Sequence, residues 1–199
     1  MSSTRETNDV IFRQSNRVTL RPVSESDCDV LTKWINDPDV QQYLEAYLPM
    51  TKNEEMTWIK TIQTRDIGSL VVMIIADGKP IGNMCISGID HRQGTAVTGT
   101  LIGNTDYWGK GYGTEAKMLM LEYAFNVLNL RKICSDVIAF NTRSTSYSLK
   151  CGYKIEGYRK KQYFAKGKYW DQVQLAVFRK DWKPYWKAFA KEHKNNLRI

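Results

Sequence analysis

The stretch Trp108-Gly109-Lys110-Gly111-Tyr112-Gly113-Thr114-Glu115-Ala116 decides how the rest of the chain is read. Before it lies a strand-like run, Thr95 to Ile102, and a loop, Gly103 to Trp108. After it, Thr114 to Leu128 carries Met118, Leu121, Phe125 and Leu128 at intervals of three or four, the spacing of a buried helix face. A strand that leads through three glycines into a helix start points several backbone N–H groups in one direction. The helix dipole adds positive potential there, so the natural ligand is an anion, most often phosphate. Glycine suits these positions because a side chain would hold phosphate oxygens away from the backbone. The spacing is not that of a Walker loop, and Thr114 stands where a dinucleotide fingerprint needs its third glycine. An anion nest of a different type remains, beside a glycine turn that holds nothing.

Working outward, residues 1–16 read as a loose tail and 17–199 as one domain. Val18-Thr19-Leu20-Arg21 alternates in polarity and predicts a first strand ending at Pro22. Ser24 with Asp27 marks a helix start, and Val30, Leu31, Trp34 and Ile35 give that helix an apolar face before Asn36-Asp37-Pro38 stops it. Thr51 with Glu54 caps a second helix carrying Met56, Ile59 and Ile62. Ser69–Ala76 and Ile81–Ile89, joined by Asp77-Gly78-Lys79-Pro80, predict a hairpin. Past the long helix come a strand at 133–138, a short helix at 144–151, paired strands at 153–165 and 168–178, and a last helix from about Asp181. Pro184 is expected in the first turn of that helix, where proline is tolerated.

Composition narrows the classes. The chain has 199 residues, 42% apolar and 25% charged, ordinary for a globular domain that needs no disulfide or metal staple. The longest apolar run, Leu70–Ala76, is far too short to span a membrane, and residues 1–16 hold no secretory h-region. Cys28, Cys85, Cys134 and Cys151 are scattered and read as reduced thiols of a cytoplasmic protein. His91 and His193 lie far from the cysteines in sequence, so no metal site is expected.

The glycine stretch resembles the pyrophosphate-binding loop of the GNAT superfamily of acyl-CoA-dependent N-acetyltransferases. The likeness extends to Trp34-Ile35-Asn36-Asp37-Pro38-Asp39-Val40, Asn141-Thr142-Arg143-Ser144, Lys150-Cys151-Gly152-Tyr153, Glu156-Gly157 and Gly167-Lys168-Tyr169-Trp170-Asp171, in the expected order over residues 17–182. The closest type is RimJ/RimL-like, the ribosomal-protein N-terminal acetyltransferases, with spermidine and some aminoglycoside acetyltransferases similar. The resemblance implies an α/β (α+β) GNAT fold: a mixed, mostly antiparallel sheet flanked by helices, with strands splayed around a CoA cleft. It implies acetyl-CoA as cosubstrate, its pyrophosphate on Gly109, Lys110, Gly111, Tyr112, Gly113 and Thr114 and its pantetheine along Leu101, Ile102 and Gly103. Asn141 matches an asparagine that contacts the pantetheine or thioester end. Trp108 stands beside the loop where many members carry Gln or Arg, a change common in the RimJ/RimL type.

The same resemblance places a catalytic tyrosine at Ser148, so the family's acid is missing there. Ser144 matches a serine proposed as the acid in RimL-type enzymes and is the first candidate, Ser148 the second; both also suit local backbone capping. Tyr147 is one residue off, about 100° round the helix. RimL-type members carry a glutamate where this chain has Tyr163, leaving Asp171, Glu45 and Asp37 as candidate bases. Tyr43, Glu45 and Tyr47 lie between the first two helices, where the family builds its acceptor pocket. The expected acceptor is a protein N-terminal α-amine, with a polyamine, aminoglycoside or amino-sugar as alternative; a non-catalytic acyl-CoA sensor and an RNA-binding protein are rivals from other classes. Net charge is +8, with seven basic residues against one acidic from Lys150 to Lys168, which allows a ribosomal partner but equally a solvated face. The aromatic side of the last helix, Trp182, Tyr185, Trp186 and Phe189, is expected to dock on its own domain or on a second copy rather than on a membrane.

Overall fold

The computed structural model describes residues 10–64 and 68–199. Its short strands β1 (Arg13–Gln14) and β2 (Thr19–Pro22) are followed by helices α1 (Cys28–Asn36), α2 (Pro38–Gln41) and α3 (Lys52–Gln63). Then come β3 (Ser69–Ala76), β4 (Lys79–Asp90), β5 (Thr95–Ile102), α4 (Tyr112–Glu122), β6 (Lys132–Ile138), α5 (Thr142–Lys150), β7 (Lys154–Ala165), β8 (Lys168–Phe178) and α6 (Arg179–Glu192). The strands form one sheet in the order β1-β2-β3-β4-β5-β6-β8-β7. All neighbours are antiparallel except β5 and β6, which the α4 crossover makes parallel.

That parallel pair positions everything else. It zips through Thr95–Lys132, Ala96–Ile133 and Val97–Cys134 and then stops. At the fork, the Thr98 hydroxyl lies 3.3 Å from the Cys134 carbonyl and 2.9 Å from the Tyr153 hydroxyl. Beyond it, β5 stays on β4 as far as Ile102 while β6 stays on β8 as far as Ile138. A wedge opens between the two halves.

One face of the sheet is sealed by α4 and α6, with Leu119, Leu121, Phe125 and Trp182 packed against Ile86, Ile133, Leu175 and Val177. Helix α4 is buried on every side from Glu115 to Glu122, more than the single apolar face its spacing suggested, because the sheet, α5 and α6 surround it. A five-residue π turn, Tyr123–Val127, ends it. On the other face α1 and α3 cover β2–β5 through Leu31, Trp34, Ile59 and Met73. Thr51 and Glu54 form the expected capping box, each accepting the other's backbone N–H, at 3.2 and 2.8 Å.

Two details depart from expectation. Arg13–Gln14, inside the stretch read as a tail, form a strand because Gln14 pairs with Thr19 on one side and Arg198 on the other; residues 1–9 lie outside the described residues. Helix α6 begins at Arg179, which places Pro184 inside it rather than in its first turn. The aromatic face of α6 does dock on its own domain: Trp182 is buried 5.1 Å from Phe125 and stacks on Trp186 at 5.3 Å. Among the described residues no helix is long and apolar enough to cross a membrane.

The α1 end is tied to the sheet by a buried ion pair. Arg21 Nη1 and Nη2 donate to the two Asp27 carboxylate oxygens at 2.8 and 2.6 Å, and the Ser24 N–H adds a third bond at 2.8 Å. Burial alone would push the Asp27 carboxyl up, but the Arg21 and Ser24 hydrogen bonds outweigh it and hold it below its ordinary value. The Asp27→Asn variant is therefore expected to lose about 3 kcal/mol in urea denaturation at pH 7, since the bidentate charge-assisted pair between a partly desolvated guanidinium and the Asp27 carboxylate is broken. Because the folded pKa is depressed, this stabilisation is complete above the unfolded value of about 3.9 and fades as pH falls through the folded value. The difference between wild type and variant should shrink below about pH 4.

Candidate active site

The wedge between β5 and α5 holds a cavity of about 390 Å³. Its walls are Thr100, Leu101 and Ile102 at the end of β5, the loop from Tyr107 to Thr114, and the first turns of α5; Val40, Tyr43 and Leu44 close it from above. The loop has the geometry its glycines suggested. Gly109 and Gly111 sit at φ +73° and +90°, and Gly111 is the N-cap of α4, so the free N–H groups of that helix face the cavity. Trp108 Nε1 donates to the Ile102 carbonyl at 2.7 Å and fixes the loop to the strand end.

Behind the loop, Glu115 is buried in the first turn of α4. It accepts from the Ser15 hydroxyl at 2.6 Å and from Arg17 N and Nε, both at 2.9 Å. Arg17 also donates Nη1 to the Lys110 carbonyl at 3.1 Å and lies 4.7 Å from the Tyr112 ring centre. Arg143 lies 3.7 Å from the Trp108 ring centre and 5.1 Å from that of Tyr43, and Lys150 stands further along the wall. Helix N-terminus and cations together fit a polyphosphate at the loop, and the apolar end of β5 fits a thin arm leading away from it.

Of the residues expected to hold CoA, Leu101, Ile102, Trp108, Gly109, Gly111, Gly113, Thr114, Asn141 and Ser144 line the cavity. Gly103, Lys110 and Tyr112 act behind it. The Gly103 N–H goes to the Ile81 carbonyl at 2.9 Å, and a Cβ on Gly103 would stand 2.1 Å from the Trp34 indole, so glycine is needed there for helix packing. Lys110 offers its carbonyl to Arg17, and Tyr112 packs edge-on to Tyr107. Asn141 caps α5, its Oδ1 accepting from the Ser144 N–H at 3.1 Å, which leaves the Ser144 hydroxyl on the wall.

Helix α5 is phased differently from the expectation. Ser148 is fully buried and points away from the cavity, accepting from Lys117 Nζ at 3.1 Å; Tyr147 faces the cavity. Lys117 is itself fully buried in α4, with its ammonium 4.4 Å from the Tyr147 ring centre and 4.7 Å from that of Tyr153. The signal for this phase was Lys117: a lysine inside an apolar helix needs a buried acceptor, and Ser148 supplies it.

Asp171 is off the cavity. It accepts from Lys160 Nζ at 2.8 Å and from the Lys161 N–H at 2.9 Å, and the Lys160 hydrogen bond leads the interactions that hold its carboxyl below the ordinary range. Tyr43 lines the roof, whereas Tyr47 is 82% exposed and does not line the cavity. Glu45 accepts from the Tyr163 hydroxyl, which in turn accepts from Gln172 Nε2 at 2.7 Å. Burial first, and then Glu45, push the Tyr163 phenol well up. Asp136, which the sequence reading did not single out, shares this neighbourhood on the freed half of β6; burial pushes its carboxyl up and Arg159 opposes. Among the described residues no cluster of His, Cys, Asp and Glu could hold a metal ion.

Comparison with known proteins settles the family. Residues 17–154 match the family described as an acetyltransferase (GNAT) domain. The chain belongs to the GNAT acetyltransferases. The p20 N-acetyltransferase of Bacillus licheniformis is 26% identical over 172 residues, covering 84% of this chain and 96% of that protein. In fold, the GNAT chain is similar to Vibrio cholerae spermidine N-acetyltransferase solved with CoA and spermine (TM-score 0.78, 20% identity, 84% of this chain and 98% of that one). It is also similar to Mycobacterium smegmatis RimJ solved with CoA-disulfide (TM-score 0.79, 19% identity, 92% and 95%). The protein is thus an acetyl-transferring enzyme with the expected GNAT fold.

Gly113 allows a clean test of the loop. A Cβ there meets only Ile102 Cγ1 at 3.8 Å, and the position lies in the first turn of α4, where an acidic residue favours the helix. Gly113→Asp is expected to keep or raise the thermal midpoint while weakening CoA by at least about 100-fold in calorimetry, through repulsion of its phosphates.

Proposed function

We propose that the protein transfers the acetyl group of acetyl-CoA to a primary amine, with a protein N-terminal α-amine as the leading acceptor. The observation that carries this reading is the fork at Thr98. It leaves one edge of β5 without a strand neighbour, in a cavity that ends on the α4 N-terminus. Pantetheine is the chemistry that completes an unpaired strand edge and still reaches a phosphate nest. Residues Gly109 to Thr114, with Arg143 and Lys150, hold the phosphates; the Asn141 amide nitrogen, freed by the capping role of its oxygen, faces the arm.

Acetyl-CoA supplies an activated thioester, and this chain's groups position it and stabilise charge. Backbone N–H groups on the freed edge of β5 polarise the carbonyl. The leaving thiolate needs a proton, and the α5 wall carries the hydroxyls of Thr142, Ser144, Ser146 and Tyr147, of which Ser144 and Tyr147 are the candidates to give one. Tyr147 is the stronger candidate because the buried Lys117 ammonium beneath its ring stabilises negative charge developing there. Holding both substrates together supplies much of the remaining acceleration.

A protein N-terminus is supported by the face that β6, β8 and β7 present beside Glu45. Alternation puts Asp136, Gln172, Trp170 and Tyr163 on that side. The carboxylates of Glu45 and Asp136 favour an incoming ammonium, and the basic run of 150–168 on the neighbouring hairpin suits an RNA-rich partner such as a ribosome. A small-molecule amine is the second reading, favoured by the name of the Vibrio cholerae neighbour. The cysteines among the described residues are all free thiols, in keeping with a reducing, cytoplasmic setting.

The first test is calorimetric titration of acetyl-CoA, followed by thiol release against amines and N-terminal peptides. Micromolar binding with acceptor-dependent release is expected; binding without release for any acceptor would favour the acyl-CoA sensor instead. Tyr147→Phe should lower kcat by about 10- to 100-fold, the low end for acid catalysis because a thiolate leaves readily, with KM for acetyl-CoA nearly unchanged.

A further inference from the structure

A second cavity, of about 320 Å³, lies on the α1/α3 side of the sheet. It shares Leu44 and Leu101 with the first, so the two meet at the end of β5 where the thioester is expected. Its lining is apolar, mainly Leu31, Ile35, Trp58 and Met50, apart from Asn83 and Glu55. Glu55 is only 4% exposed, and its carboxylate has no hydrogen-bond or ion-pair partner among the described residues. Burial pushes that carboxyl above its ordinary value.

A carboxylate held against apolar side chains without a partner is costly to the fold unless a cation completes it. Among the described residues the other buried carboxylates and the buried lysine are answered: Glu115 by Ser15 and Arg17, Glu122 by Arg13 and Asn126, Asp27 by Arg21, and Lys117 by Ser148 and two rings. Glu55 has only the cavity. We propose that this cavity binds the acceptor as a monocationic primary amine on an apolar body, with its ammonium on Glu55. A peptide N-terminus with an aliphatic or aromatic first residue has that chemistry, and so does a small arylalkylamine. A polyamine does not: within the cavity its further ammonium groups would lie against leucine, isoleucine and tryptophan, Glu55 being the one carboxylate of the lining, while Glu45 and Asp136 lie outside it. The amide of Asn83 offers a further hydrogen bond, and Leu44 and Leu101 let the bound nitrogen approach the first cavity.

This rests on the acetyltransferase reading above, and the experiment separates the two. The protein, saturated with CoA, is titrated with 2-phenylethylamine, with the tripeptide Leu-Gly-Gly and with spermidine; steady-state rates with acetyl-CoA are measured in parallel. Phenylethylamine or the peptide is expected to bind at least tenfold tighter than spermidine. Glu55→Gln should raise the acceptor's Kd and KM at least tenfold, leave the affinity for acetyl-CoA within twofold, and keep or raise the thermal midpoint by removing an unpaired charge. Ala46→Phe, which narrows the same cavity without touching Glu55, should also raise KM for the acceptor. A preference for spermidine, or unchanged acceptor Kd and KM in Glu55→Gln while turnover persists, would overturn the assignment of this cavity alone. Failure of the wild type to bind acetyl-CoA or to release thiol with any amine would overturn the acetyltransferase reading on which it rests.

Discussion

Three parallel pairings hold the two halves of the sheet together, and the site exists because there are only three. Had β5 and β6 paired along their whole length, the backbone of Thr100 to Ile102 would be satisfied by a strand and no ligand would have an edge to bind. Thr98 and Tyr153 mark where pairing ends: a hydroxyl pair at 2.9 Å stands where the next step of the ladder would be. From there the β4 partner carries β5 one way and the β8 partner carries β6 the other. Backbone groups left unpaired at the fork are costly if they stay dry, so the same feature that weakens the sheet selects a ligand able to complete it.

The phosphate end depends on a different device. Left-handed glycines give the loop its shape, but loose glycines do not keep one, and the chain supplies rigidity from behind through Glu115. This carboxylate fastens the turn between β1 and β2 to the first turn of α4, and through Arg17 to the Lys110 carbonyl. Its negative charge near the helix N-terminus also favours the helix. A preformed nest loses less entropy on binding than a floppy one.

Much of this was legible in the sequence, and the division between what was and was not has a physical basis. Signals confined to a few neighbouring residues translated directly: the Thr51–Glu54 cap, the hairpin turn at Asp77-Gly78, tighter than the four residues expected because Lys79 and Pro80 already pair with β3, and the alternating glycines at the start of α4. The phase of α5 did not, because it is set by a lysine thirty-one positions away. Nor did the role of Glu55. In sequence it reads as the second of two first-turn acids beside a cap, but only Glu54 faces Thr51, and the next residue is turned about 100° toward the sheet. The strand at Arg13–Gln14 was hidden for the same reason, since its partners come from opposite ends of the chain.

Among the described residues, the buried charges separate into those that hold the fold and one that does not. Arg21–Asp27 and Arg17–Glu115 each join two segments, and each carboxylate also takes a backbone N–H, so their desolvation is offset and their loss would unfasten something. Lys117 fastens α4 to α5 with a weaker set, a hydroxyl and two ring faces, and lends its charge to the wall where a thiolate would form. Glu55 joins nothing. A fold under selection for stability alone would favour a leucine at that point, among Leu31, Ile35 and Trp58. At the first turn of α3 the helix dipole offsets part of the desolvation of Glu55, and in the proposed bound state the acceptor's cation would supply the partner that the fold does not.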